Sequence, residues 1–142
     1  MYVAELRTRR YRGKQPPAVT RPEDVAKLLA RSLNDAKREH FMAVLLTSRH
    51  AVLGIETISV GSLNASIVHP REVFRPAILA GAAAIILAHN HPSGDVSPSD
   101  DDVEITVRLL DTGKVIGIEV LDHVILGGNG RFLSFREKGL LV

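Results

Sequence analysis

The longest apolar run in the chain, Ala77 to Ala88, stops abruptly at a polar stretch, HNHPSGDVSP, from His89 to Pro98. A membrane span takes about 20 apolar residues, so this run is too short to cross a bilayer and reads instead as part of a folded core. Pro70 suits the start of a helix that carries Val73, Phe74, Ala77, Ile78 and Ala80, and the small residues Gly81 to Ala84 allow close packing behind it. Ile85 to Ala88 is then short, apolar and bounded by a polar loop, which predicts a buried strand. Whatever chemistry the chain performs is best sought where that strand runs out.

The length of 142 residues gives one complete core and too little chain for two ordinary domains. A composition of 45% hydrophobic and 24% charged residues excludes a disordered or collagen-like chain. With no cysteine, disulfides, thiolate zinc sites, iron–sulfur clusters and cysteine nucleophiles are all excluded, and a metal must use nitrogen and oxygen ligands. The N-terminal MYVAELRTRRYRGK has no pattern of a secretory leader, so a cytoplasmic setting is expected. Charge is uneven: residues 1–14 hold Arg7, Arg9, Arg10, Arg12 and Lys14 against Glu5, while the remainder is slightly acidic. Such an arm suits phosphate contacts with a nucleic acid or, equally, a charge-protected edge strand.

Residues 1–19 therefore read as a basic arm, with a short strand over Tyr2 to Arg9 ended by GKQPP, and 20–142 as the folded domain. Thr20, Pro22 and Glu23 predict a capped helix from 22 to about 37, with Val25, Leu28, Leu29 and Leu33 on one face. Strands are expected over Phe41 to Thr47 and Ala51 to Val60, around a polar turn at Ser48 to His50. Beyond the polar loop, Ser99 to Thr112 predicts another amphipathic helix, closed by Gly113. Val115 to Leu121 and His123 to Leu126 follow as strands before a GGNG turn at 127–130.

In an extended strand, residues two apart point the same way, so His89 and His91 can reach one ion. The following helix opens with three carboxylates, Asp100, Asp101 and Asp102. Two imidazoles, one carboxylate and a position left for water form the ligand set of a catalytic zinc site. If Val103, Thr106, Val107 and Leu110 form the apolar side of that helix, Asp101 lies opposite it and Asp100 and Asp102 flank it equally. Ser99-x-x-Asp102 is also the pattern of a capping box, an ordinary helix start.

The stretch HNHPSGDVSPSDDD, His89 to Asp102, resembles the JAMM (MPN+) metalloprotease signature: His-x-His-Pro and, six residues on, Ser-x-x-Asp. RPAILAGAAAIILAHNHPSG together with the later LDHVILG is similar to the RadC branch of that family, from about Thr20 to the C-terminus. The resemblance implies an α/β fold of the cytidine-deaminase-like JAMM/MPN kind, a mixed and largely antiparallel β-sheet flanked by helices. It implies one zinc ion per chain on His89, His91 and Asp102, Ser99 as a hydrogen-bonding active-site residue, and an upstream glutamate as general acid/base. Glu39, in EHFMAVLL, has the matching context, whereas Glu56 and Glu72 do not. His123 is expected near the site but outside the ligand set.

The activity so implied is hydrolysis of a peptide or isopeptide amide. Glu39 takes a proton from metal-activated water and returns it to the leaving amine, and Ser99 helps to stabilise the oxyanion. RadC-type chains commonly carry a helical region ahead of the metal domain; about 20 residues stand there in this sequence. The competing expectations are a DNA-associated binding module, held by Arg7, Arg9, Arg10 and Arg12 with a structural or vestigial zinc, and a hydrolase of non-peptide amides. No membrane partner is expected, and exposed sheet edges would suit a dimer.

Overall fold

A computed structural model of the chain describes residues 9–10, 17–33 and 36–141. Its two central strands are β2 (His40–Leu46), buried from Phe41 onward, and β4 (Ala84–Asn90), buried throughout. They lie side by side in a six-stranded sheet of order β1-β3-β2-β4-β5-β6. The outer strands are β1 (Arg9–Arg10), β3 (Val52–Val60), β5 (Glu119–Gly128) and β6 (Arg131–Ser134). All neighbours are antiparallel except β4 and β5. A parallel pair needs a long crossover connection, and α3 (Asp100–Ile116) supplies it. The expected mixed, mostly antiparallel α/β architecture is the one observed.

Continuous burial of β2 and β4 requires cover on both faces of the sheet. Phe41, Ala43, Leu45, Ile85 and Leu87 pack on one side with Val73, Phe74 and Ala77 of α2 (Pro70–Ala80) and Ile105 and Leu109 of α3. The alternate residues Met42, Val44, Leu46, Ile86 and Ala88 pack on the other side with Val25, Leu29 and Leu33 of α1 (Pro22–Leu33). Val19 joins this second layer, and the Ala18–Ala51 bridge ties the chain ahead of α1 to the sheet. The expected Tyr2–Arg9 strand falls mostly outside the described residues; Arg9–Arg10 pair antiparallel with Gly54 and Ile55 at the sheet edge.

Several boundaries differ from expectation. The first helix stops at Leu33, and residues 36–37 are no longer helical. Its start is capped from N3 rather than by the Thr20 hydroxyl: Asp24 Oδ2 accepts the backbone N–H groups of Thr20 (2.9 Å) and Arg21 (3.0 Å). The polar loop begins one turn of the pleat later, because His89 and Asn90 remain in β4. In place of the two strands expected over residues 115–126 there is one, β5, while Val115 and Ile116 belong to the helix. The Asn129–Gly130 turn joins β5 to β6 with positive φ at both positions, as a two-residue hairpin of type I′ demands.

Gly113 does not end α3; Gly117, in the left-handed conformation, does. Gly113 is buried inside the helix, where a Cβ would sit 2.5 Å from the Ile118 carbonyl oxygen and 3.3 Å from Val120 Cγ2. An exposed helical glycine replaced by alanine gains about 1 kcal/mol of helix propensity, whereas overpacking a core costs about 1–3 kcal/mol. The backbone contact decides the sign. Gly113→Ala is expected to lower the urea-unfolding stability by about 1–2 kcal/mol; a variant as stable as the parent would contradict the packing described for this turn.

Candidate metal centre

The alternation that buries Ile85 and Leu87 under α2 and α3 also carries His89, which is fully buried on that side. His91, the next residue in step, is turned to meet it by two contacts. Its N–H donates to Leu126 O (2.9 Å), and its ring Nδ1 lies 2.6 Å from Asp95 O. The two Nε2 atoms come within 2.9 Å of each other. Asp102 completes the group, with Oδ1 3.1 Å from His89 Nε2 and Oδ2 3.2 Å from His91 Nε2. Among the described residues these three form the one group placed to hold a metal ion.

The face of α3 turned inward differs from the expected one. Asp102, Ile105, Thr106, Leu109 and Gly113 are buried, while Val103 and Val107 are 36% and 47% exposed. Asp102 thus lies on the buried face rather than at its flank. Asp100 and Asp101 are exposed, and Asp101 Oδ1 accepts from Ala65 N at 3.3 Å, tying the loop before α2 to α3. The capping box forms as well. Ser99 Oγ accepts from Asp102 N (3.1 Å), and Ser99 N donates to Asp102 Oδ2 (2.8 Å). Capping and placement of the carboxylate are therefore one arrangement: the same bonds that close the helix end aim it at the histidines.

Glu39, Ser99, His91 and Asp102 line one open cleft of about 370 Å³, with Ser62, Leu63 and Asp101. Glu39 Oε2 accepts from Leu63 N at 2.9 Å. Asn90, between the two histidines, points to the α1 side and braces the segment bearing Glu39: Oδ1 accepts from His40 N (2.7 Å), and Nδ2 donates to Arg38 O (3.0 Å). On the other side of His91 and Pro92 lies a largely apolar groove of about 300 Å³ between α1 and the β5–β6 hairpin. Arg7 and Arg12 lie outside the described residues, as do the side chains of Arg9 and Arg10.

Three residues beside the site carried no signal read as functional, or only part of one. His123 is fully buried, 2.7 Å from His89 Nδ1 through its Nε2, and Thr106 Oγ1 lies 2.6 Å from its Nδ1. Phe135 stacks on the His123 ring and Phe41 meets it edge-on. Asp122 secures the strand below: it accepts from His123 N, Arg136 N and Ser134 Oγ at 2.7, 3.0 and 2.5 Å. The register of β4 against β5 shifts so that Ile85 pairs with Val120 but Ile86 with Asp122. That bulge resets the alternation and turns His123 toward α3. The Asp-His pair marks the place in the sequence; the bulge leaves no such mark.

Electrostatics follow from this packing. Burial works against the Asp102 charge, but the hydrogen bonds from His89 and His91 outweigh it and hold the carboxyl well below its ordinary range. The Asp102 hydrogen bond raises the His91 value, against desolvation, with help from Asp95 O and the Glu39 charge. Burial drives His123 well below the ordinary imidazole value, so its ring is neutral. No lysine or arginine meets Asp102 among the described residues. A buried carboxylate with only imidazole partners is the environment in which a divalent cation would compensate charge, and the donor set fits one.

A mixed, helix-covered sheet with this His-His-Asp group at the end of a central strand defines a metal-domain architecture of the JAB/MPN kind. The chain belongs to the RadC-like JAB domain family, whose sequence profile matches residues 19–140. A UPF0758 protein of Caldanaerobacter subterraneus subsp. tengcongensis is 56% identical over 122 residues, covering 86% of this chain and 52% of that protein. A UPF0758 protein of Desulforamulus reducens is 53% identical over 130 residues, 88% of this chain and 57% of the relative. One from Moorella thermoacetica is 50% identical over 146 residues, 98% of this chain and 63% of the relative. The chain spans a little over half the length of these curated relatives, whose names state no activity. No helix among the described residues is long and apolar enough to cross a membrane.

The raised His91 value has a consequence for the metal-free protein. A group whose folded value is raised contributes stability that is full below its unfolded value, about 6.5 for imidazole, and lost as pH rises through the folded value. The buried, neutral His123 acts in the opposite sense over the same range, so the readable quantity is the difference between variants: in chelator-treated protein His91→Ala is expected to lower the melting temperature more at pH 6 than at pH 8. An unchanged pH dependence in the variant would contradict the His91–Asp102 pairing.

Proposed function

We propose that this domain is a zinc-dependent hydrolase of peptide or isopeptide amides, with His89, His91 and Asp102 holding one ion per chain. The observation that carries the reading is the shared cleft, in which Glu39 and Ser99 stand beside His91 and Asp102. Zinc bound there supplies a Lewis acid that acidifies water and polarises a carbonyl. Imidazole and carboxylate donors without sulfur suit it, and an open cleft leaves room for water and substrate.

The chain's own groups supply the rest. Leu63 N–H holds Oε2 of Glu39, so we assign proton transfer to Oε1: it takes a proton from the attacking water and returns it to the leaving amine. Ser99 Oγ is engaged as an acceptor by Asp102 N–H, so its hydroxyl hydrogen remains for the oxyanion of the tetrahedral intermediate. Asn90 keeps the backbone around Glu39 in place through its two bonds to residues 38 and 40. The apolar groove beyond His91 and Pro92 gives a substrate side chain a place next to the cleft.

Metal analysis of the purified protein is expected to give about one zinc per chain, lost in His89→Ala and in Asp102→Asn. Glu39→Gln is expected to retain the ion while cleavage of a peptide or isopeptide library falls by about 10²–10⁴-fold. Full cleavage by Glu39→Gln would remove Glu39 from the role of base, and unchanged zinc content in His89→Ala would overturn the ligand set.

A further inference from the structure

The two ring nitrogens of His89 face different surroundings. Nε2 faces His91 and Asp102, while Nδ1 faces His123 Nε2 at 2.7 Å. From His123 the contacts continue: its Nδ1 lies 2.6 Å from Thr106 Oγ1, and Thr106 Oγ1 lies 2.6 Å from Asp102 O. The chain of contacts therefore leaves one metal-site residue and ends on the backbone of another. All its members are buried, and the ring in the middle is held between Phe135, 4.6 Å away and nearly parallel, and Phe41, 5.8 Å away and edge-on.

Proton positions along it are fixed from the far end. A carbonyl oxygen only accepts, so the single hydroxyl hydrogen of Thr106 points to Asp102 O. The hydroxyl oxygen must then accept from His123 Nδ1–H. The His123 ring is fully buried between two phenylalanines and its nitrogens meet an imidazole and a hydroxyl rather than a carboxylate, so with its hydrogen on Nδ1 its Nε2 carries a lone pair and accepts from His89 Nδ1–H. Nε2 is then the nitrogen of His89 left to face His91 and Asp102, and the one from which a bound ion would displace any proton shared with the carboxylate. The opposite assignment would set the Thr106 oxygen and the Asp102 carbonyl oxygen lone pair to lone pair at 2.6 Å and place a hydrogen on His89 Nε2, between it and any ion.

We propose that Thr106 and His123 are positioning residues that hold His89 as its Nδ1–H tautomer, making Nε2 its metal-binding atom. The proposal rests on reading the site as a metal centre. It also couples two ligands, because the carbonyl that anchors the relay belongs to Asp102. Outer partners of metal-bound histidines typically change metal affinity by about 10–100-fold when removed.

Thr106→Val removes the hydroxyl with little change in shape, and Thr106→Ser restores it. Zinc affinity, measured by competition with a chromophoric chelator, is expected to fall about 10–100-fold in Thr106→Val and to recover in Thr106→Ser; His123→Gln is expected to lie between Thr106→Val and the parent. Urea unfolding of the metal-free variants separates this from loss of fold, since a merely structural role would not make zinc affinity follow the hydroxyl at equal stability. In metal-free parent protein at pH 8, nitrogen–proton NMR of the imidazoles is expected to show His89 protonated on Nδ1. A bare Nδ1 with the proton on Nε2, or equal zinc affinity of Thr106→Val and the parent, would overturn the proposal. A parent that binds no zinc would defeat the metal reading, and the tautomer measurement would still decide the relay.

Discussion

One buried carboxylate organises this molecule. Asp102 is 1% exposed, a position that costs several kcal/mol for an ionised group without compensation. Its compensation comes from three directions: the imidazoles at the end of β4, the Ser99 N–H at the start of α3, and, by our proposal, a cation between them. Each fixes a separate part of the fold. The imidazoles require β4 to run out on the α3 side of the sheet, and the capping box requires α3 to begin at Ser99. With strand end and helix start fixed, the crossover to the parallel strand β5 follows the helix between them.

Around that carboxylate, structural and chemical roles coincide in the same atoms. Ser99 closes a helix and lies in the cleft, Asn90 pins residues 38–40 and separates two histidines, and Asp122 locks a bulge that aims His123. Such sharing explains how a domain of this size holds its site with short-range contacts. The cleft itself stays open on one side, while an apolar groove begins across His91 and Pro92. Both lie at the C-terminal ends of the parallel pair β4 and β5, the place where α/β sheets commonly open a crevice.

The central strands were legible in the sequence because their residues are apolar without interruption and their ends are polar. His89 and His91 were legible for the same reason, as two imidazoles in step on a strand. The inward face of α3 was not, because two adjacent stripes compete. Val103, Val107 and Leu110 look like core, yet the stripe of Asp102, Ile105, Thr106 and Leu109 is the one β5 and α2 cover. Polar residues at two of those four positions, Asp102 and Thr106, disguise it. Gly113 misled in a related way: a late helical glycine signals an end, but here it admits the returning Ile118 carbonyl. The bulge before His123 depends on pairing between distant strands, which local pattern does not encode.

Anomalous diffraction at the zinc edge from crystals of the zinc-loaded domain addresses the central claim most directly. The account predicts one peak per chain, ligated by Nε2 of His89, Nε2 of His91 and the Asp102 carboxylate, with Glu39 facing the ion across the cleft but outside its ligands. A peak elsewhere, ligation through Nδ1 of His89, or Asp102 directed away from the ion would contradict it.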